Sequence, residues 1–139
     1  MSVRNDIRSA VASAISIAVA GGVYPSDLEE FVVVSIASDV RDTDSQVVRQ
    51  DARELAIEVE CVRKINSTVG DIETELDTMA STVLSEVLSD AGVLAACDYI
   101  QYDALDQDLN DETDKSAGVV RLTFTAYYKT SLSDPNTRI

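Results

Sequence analysis

The side chains best suited to chemistry lie between positions 106 and 114, where acidic and amide residues alternate. Asp106, Asp108 and Asn110 match the first three ligand positions of an EF-hand loop, which gathers oxygen ligands around calcium. The match then fails, because Asp111 replaces the glycine of the turn and Ala117 replaces the bidentate glutamate. The flanking residues also indicate strands rather than helices. We interpret the segment as a solvated hairpin loop, with a calcium site as the alternative.

Catalytic groups are scarce in this chain, which contains no histidine. General acid–base chemistry would fall to carboxylates, lysine, tyrosine or cysteine. The sequence has no glycine-rich phosphate loop, nucleophile elbow or zinc-ligand spacing. Pairs of carboxylates are frequent, but 25 acidic residues produce such pairs by chance. We therefore expect neither an enzyme nor a bound cofactor.

A second charged segment, at positions 39–45, mixes acidic and basic side chains, and Arg49 and Arg53 lie nearby in the sequence. It is either a mobile hairpin tip or a loop that docks a partner, since mixed charge sets register and specificity across polar interfaces. The candidate partner contacts from both charged segments and the adjacent strand are Arg41, Asp42, Asp44, Arg49, Arg53, Asp106, Asp108, Asp111, Glu112 and Asp114.

Apolar and acidic residues alternate between positions 54 and 61, as in a strand buried on one side. The polar side of this strand carries Glu54, Glu58 and Glu60. These carboxylates are either simply solvated, or they line the inside of a ring through which DNA passes without being bound.

The net charge of −14 makes binding to nucleic acid or to an anionic membrane surface unfavourable. Aspartate (16) exceeds glutamate (9), and arginine (8) exceeds lysine (3). An aspartate-rich, lysine-poor surface favours an origin in a halophilic host, where salt screens the self-repulsion; an acidic protein from an ordinary host is the alternative. The two cysteines, Cys61 and Cys97, are interpreted as buried reduced thiols, although a disulfide is an alternative.

Hydrophobic periodicity predicts the elements that position these side chains. Helical spacing covers residues 2–20 and 72–88, and strand patterns cover residues 31–37, 54–61, 99–105 and 120–128. The resulting order, α-β-β-α-β-β, predicts an α+β fold with one antiparallel four-stranded sheet and two helices packed on one face. We expect a single domain over residues 1–130 and a flexible C-terminal tail over residues 131–139.

This arrangement resembles the tail terminator family of long-tailed phages and archaeal tailed viruses, the proteins similar to minor tail protein U. The resemblance covers residues 3 to about 130 and rests on the order of elements. It is carried by the opening helix Val3–Val11, the strand Phe31–Ile36, the acidic strand Glu54–Val59, the central amphipathic helix and the closing strand Gly118–Thr130.

The resemblance implies a structural virion protein of the tail, assembled in the host cytoplasm. Members of this family form a hexameric ring at the head-proximal end of the tail tube, stop tube polymerisation and dock the neck protein of the filled head. The expected partners are copies of the chain, the tail tube protein, the head-completion protein and DNA crossing the lumen, but no membrane. The alternatives are another neck or tail-tube connector, or, in a different class, an acidic calcium-binding regulatory module.

Overall fold

The computed structural model of this protein describes residues 2–20, 29–41, 50–64, 72–110 and 117–139. Three helices and five strands lie within these ranges. The helices are α1 (Val3–Ala14), α2 (Ile72–Ser89) and α3 (Ala91–Ala96), and the strands are β1 (Glu30–Arg41), β2 (Gln50–Lys64), β3 (Tyr99–Asn110), β4 (Ala117–Ser131) and β5 (Asp134–Arg138).

Four strands form an antiparallel sheet in the order β1-β2-β4-β3, and β5 pairs with the end of β4. The β2–β4 ladder runs without a register shift from the pair Gln50–Ser131 to the pair Lys64–Ala117. Register shifts interrupt β1 at Ala37 and β3 at Asp103. The predicted α+β fold with a four-stranded antiparallel sheet is therefore confirmed.

The helices cover one face of this sheet with aliphatic side chains. Val3, Ile7 and Val11 recur at helical spacing and are buried along α1, as is the corresponding stripe of α2. They pack on the alternate residues of β2 and β4 that point to the same side. The buried residues of α2, β2 and β4 in this core are Leu76, Met79, Ala80, Val83, Val87, Leu55, Ile57, Val59, Cys61, Val120, Leu122, Phe124, Ala126 and Tyr128.

The first helix is shorter than the predicted range of residues 2–20, because α1 ends at Ala14. The following segment is rich in β-branched residues and becomes extended. Val32 of β1 donates a backbone hydrogen bond to Ala18 and accepts one from Ala20, at 2.9 and 2.8 Å. Part of the outer edge of β1 is thereby paired within the chain.

The prediction of a flexible tail over residues 131–139 is wrong, because the chain turns back and forms β5 beside β4. The backbone N–H of Ile139 donates to the carbonyl of Lys129 at 2.9 Å. Arg138 donates to the carbonyl of Ala95 at the end of α3 and to the carboxylate of Asp98 at 2.8 Å. These contacts with β4, with the end of α3 and with Asp98 stabilise the short segment, and its polar sequence did not predict them.

Candidate functional site

The sheet face that points away from the helices, called the outer face below, carries the predicted acidic row. The strand pleat places Glu54, Glu58 and Glu60 on this face, alternating with the buried apolar residues of β2. All three are half-buried rather than fully exposed. The three glutamates therefore share one surface, as their alternation predicted. Two of them, Glu58 and Glu60, lie beside the same basic side chain.

That basic side chain is Arg121 of β4, which lies among carboxylates of two neighbouring strands. Its Nε is 3.2 Å from Glu60 Oε2 and 3.6 Å from Glu58 Oε1. Its Nη1 is 3.9 Å from Asp106 Oδ2 on β3. Three carboxylates around one guanidinium leave a local surplus of two negative charges. The register places Arg121 opposite both Glu60 and Asp106, a relationship that only the strand pairing reveals.

The aspartates predicted to lie in a hairpin loop belong instead to a strand. β3 extends to Asn110, so Asp106 and Asp108 alternate along it opposite β4. The side chain of Asp106 is 78% exposed. Asp106 and Asp108 pair with residues of β4, so β3 continues beyond Leu105, where the hydrophobic pattern predicted its end. Within the described ranges, no group of three or more acidic, histidine or cysteine side chains is placed to hold a metal ion.

A polar cluster lies beside this row at the irregularity in β3. The amide of Gln101 donates to Asp103 Oδ1 at 2.7 Å, and the hydroxyl of Thr125 donates to Asp103 Oδ2. The register shift at Asp103 allows its carboxylate to meet both partners.

The edge of the sheet at β3 combines an unpaired strand side with exposed apolar side chains. β3 is the last strand of the sheet and pairs only with β4 among the described residues. Leu105 is 46% exposed, and Tyr102 of the same strand is also exposed. A groove of about 220 Å³ between α2 and β3, called the edge groove, is lined by Asp77, Ala80, Ser81, Leu84, Leu105 and Leu122. Open strand edges and exposed apolar grooves favour contact with another chain.

A second concavity, called the polar recess, opens at the start of α1 and has a volume of about 280 Å³. It lies on the helix side of the sheet, where the apolar core gives way to charged residues. Its walls come from α1, β1, β2, β4 and β5 and consist of Ser2, Val3, Arg4, Asp39, Asp51, Arg53, Tyr128, Thr130 and Asn136.

Arg53 organises this recess, and its side chain is only 27% exposed. It donates from Nε to Asp39 Oδ1 and from Nη1 to Asp51 Oδ2, both at 2.8 Å. The hydroxyl of Tyr128 donates to the other oxygen of Asp39 at 2.7 Å. Hydrogen bonding to Asp39 raises the pKa of Arg53, and burial followed by the bond to Asp39 raises the pKa of Tyr128. Arg53, predicted as a partner contact, therefore makes these bonds inside its own chain.

The remaining predicted partner contacts divide into two groups. Arg41 ends β1 rather than lying in a loop, and its exposed guanidinium is 3.2 Å from Asp51 Oδ1. The others lie outside the described residues: Asp42, Asp44, Arg49, Asp111, Glu112 and Asp114.

Both cysteines are free and buried. Burial, followed by the charge of Glu60, raises the pKa of the Cys61 thiol to about 12. Burial also raises the pKa of Cys97, whose Sγ donates to the carbonyl of Val93 at 3.4 Å. Neither thiol is activated as a nucleophile, since activation requires a lowered pKa.

None of the helices in the described ranges is long and apolar enough to cross a membrane. The chain matches no protein-family model and no curated protein.

Proposed function

We propose that this protein is a tail terminator, a structural virion protein that forms a ring at the head-proximal end of a viral tail tube. In this role it stops polymerisation of the tube protein and presents a docking face to the neck or head-completion protein. The element order that resembles the tail terminator family supports the proposal. The surfaces of the subunit support it independently, as follows.

The observation that carries the proposal is the open β3 edge with its edge groove. A ring needs a head-to-tail interface in which one subunit surface meets a different surface of its neighbour. The two edges of this sheet differ in that way: segment 18–20 pairs with part of β1, whereas β3 has no second strand beside it among the described residues and leaves Leu105 exposed. Contact through β3 would bury both the exposed leucine and the unpaired backbone, which together favour association.

The outer face suits the lumen of such a ring. Its central cluster carries two surplus negative charges around Arg121, and Glu54 lies on the same face. A weakly negative wall repels the phosphates of DNA that must pass through it. In this arrangement Glu54, Glu58 and Glu60 line the channel, while the helices face outward. The protein acts by binding alone, without catalysis.

A tube-length assay tests the function. Tail tube protein is polymerised with increasing amounts of this protein, and tube lengths are measured by electron microscopy. We expect shorter tubes carrying a ring of density at one end. A variant with Leu105→Lys should lose this effect, whereas Leu94→Lys, an equally polar change at an exposed leucine of α3, should retain it.

Unchanged tube lengths at every concentration would rule out a terminator. The other proposed role in the same virion, a different neck or tail-tube connector, predicts another position. Antibody labelling of intact particles separates the two, because a terminator lies at the junction between tube and neck.

A further inference from the structure

We propose that the polar recess is a binding site for a small oxyanion, a phosphate or carboxylate group. The inference rests on the described walls of the recess and does not depend on ring formation.

The first observation is a buried hydroxyl without a partner. Thr130 is 1% exposed, and its Oγ1 has no hydrogen-bond partner within the described part of the chain. Thr130 lies opposite Asp51 in the β2–β4 ladder and lines the recess. Buried polar groups in folded proteins are nearly always hydrogen-bonded, so an unpaired hydroxyl on the wall of a cavity indicates a partner outside the chain, either water or a ligand.

The second observation is the charge of the walls. Arg4 and Arg53 line the recess with Asp39 and Asp51, and the guanidinium of Arg41 stands 3.2 Å from Asp51 Oδ1. The two guanidinium groups that line the recess balance its two carboxylates, in a chain whose total charge is −14. A neutral recess repels an anion less than the acidic surface around it does.

The third observation is the start of α1, whose first residues Ser2, Val3 and Arg4 form one side of the recess. The first N–H groups of a helix lack intrahelical acceptors, and Ser2 Oγ accepts only the one from Asn5, at 3.3 Å. Together with the helix dipole, the remaining N–H groups attract negative charge. The side chain of Arg4 is exposed and 3.9 Å from Asp39 Oδ2, so it can turn toward a ligand.

These groups suit an oxyanion better than a cation. Both carboxylate oxygens of Asp39 already accept hydrogen bonds, from Arg53 and Tyr128. The carboxylate of Asp51 accepts from Arg53 through Oδ2, and its Oδ1 lies 3.2 Å from Arg41 Nε in an ion pair. A cation would meet these guanidinium groups, whereas an oxyanion can accept from Thr130, Arg4 and the helix N–H groups. One water molecule would satisfy Thr130 but would fill little of a volume of about 280 Å³.

Calorimetric titration of the full chain with inorganic phosphate tests the site. A titration with chloride at equal ionic strength is the control. We expect saturable binding of phosphate that chloride does not reproduce. Thr130→Val keeps the side-chain shape without the hydroxyl, and Arg4→Gln removes an exposed charge; each should weaken phosphate binding at least ~10-fold. Arg8→Gln, the same charge change at an exposed position of α1 outside the recess, should stay within about twofold.

Equal phosphate affinity in all four proteins, or equal effects of phosphate and chloride, would overturn the proposal. Because Arg4 is exposed, its variant keeps the test decisive even if Thr130→Val fails to fold. Measuring the molecular mass with and without phosphate then identifies the source of the oxyanion. Dissociation of an oligomer by phosphate identifies a carboxylate of a second copy, whereas an unchanged mass with saturable binding identifies a free anion.

Discussion

Arg53 and Asp39 join β2 to β1 through two hydrogen bonds. The guanidinium donates from Nε to the carboxylate at 2.8 Å and from Nη2 to the backbone carbonyl of the same residue at 3.2 Å. The aspartate side chain is 9% exposed and also accepts from Tyr128. A residue that the sequence assigns to a partner interface is thus part of the polar end of the core.

Replacing Arg53 with glutamine should lower the free energy of unfolding by about 2–4 kcal/mol, because it removes charged hydrogen bonds and leaves the buried Asp39 carboxylate poorly compensated. Arg8→Gln, at an exposed position, should cost less than about 0.5 kcal/mol. Urea unfolding followed by circular dichroism measures both. Equal, small effects of the two changes would show that the Arg53–Asp39 contact contributes no stability.

Stability should fall in alkaline solution. The pKa of Cys61 is raised from 9.0 to about 12 in the folded protein. Below pH 9 the thiol is protonated in both states, so its contribution is constant. Between pH 9 and 12 the unfolded chain releases the proton and the folded chain retains it, which lowers the free energy of unfolding by up to about 1.4 kcal/mol per pH unit. The raised pKa of Tyr128 acts in the same direction above pH 10.

Cys61→Val, which preserves an apolar side chain at this site, should flatten the decline between pH 9 and 12. Denaturant unfolding at a series of pH values measures the slope. A slope identical to that of the unchanged protein would contradict the assigned pKa.

Gly118 permits the close approach of α2 to β4. A Cβ atom at this position would lie 2.7 Å from Leu76 Cδ1 and 2.9 Å from Ile72 Cγ1. Gly118→Ala should therefore destabilise the protein by about 1–3 kcal/mol through overpacking. Combining it with Leu76→Ala, which removes the Cδ1 atom, should cost less than the sum of the two single changes. Strictly additive costs in thermal unfolding would place the strain elsewhere.

Arg121 should matter most at low salt. Arg121→Gln leaves Glu58, Glu60 and Asp106 without their shared cation, and we expect a loss of about 1 kcal/mol near 0.1 M salt that largely disappears at 1 M. Lys129→Gln makes the same charge change on the same strand and should have the smaller effect at low salt. If salt affects both variants alike, the total charge rather than the Arg121 cluster governs the response.

The periodicity of hydrophobic residues was enough to predict the sheet and the two long helices. Core residues recur at every second position in the strands and about every fourth position in the helices. It did not find α3, which is short and depends on Asp90: the carboxylate accepts from the N–H of Val93 at 3.0 Å. It also missed β5, whose stability comes from the bonds of Arg138 to Ala95 and Asp98, which lie 43 and 40 residues earlier in the chain. Local pattern carries no information about such distant partners.

Of the candidate surfaces, the sequence predicted the outer face but neither the role of Arg121 nor the polar recess. The alternation around Glu58 indicated the outer face correctly, since a strand pleat fixes which side chains share a side. The neutralising role of Arg121 depends on the register of three strands, and the polar recess on five separate elements. Arg53 illustrates the difficulty, because a charged residue in a charged segment resembles a surface residue until its pairing with Asp39 is seen.

The ring itself is tested most directly by the mass of the purified protein in solution. Six copies of the 15.0 kDa chain have a mass of about 90 kDa. Native mass spectrometry and light scattering should find this species at molar salt, and dilution to ~0.1 M should weaken it as screening of the acidic surface is lost. Leu105→Lys should abolish it, whereas Leu94→Lys should not. A monomer of 15.0 kDa at every salt concentration, alone and with tail tube protein, would contradict ring assembly.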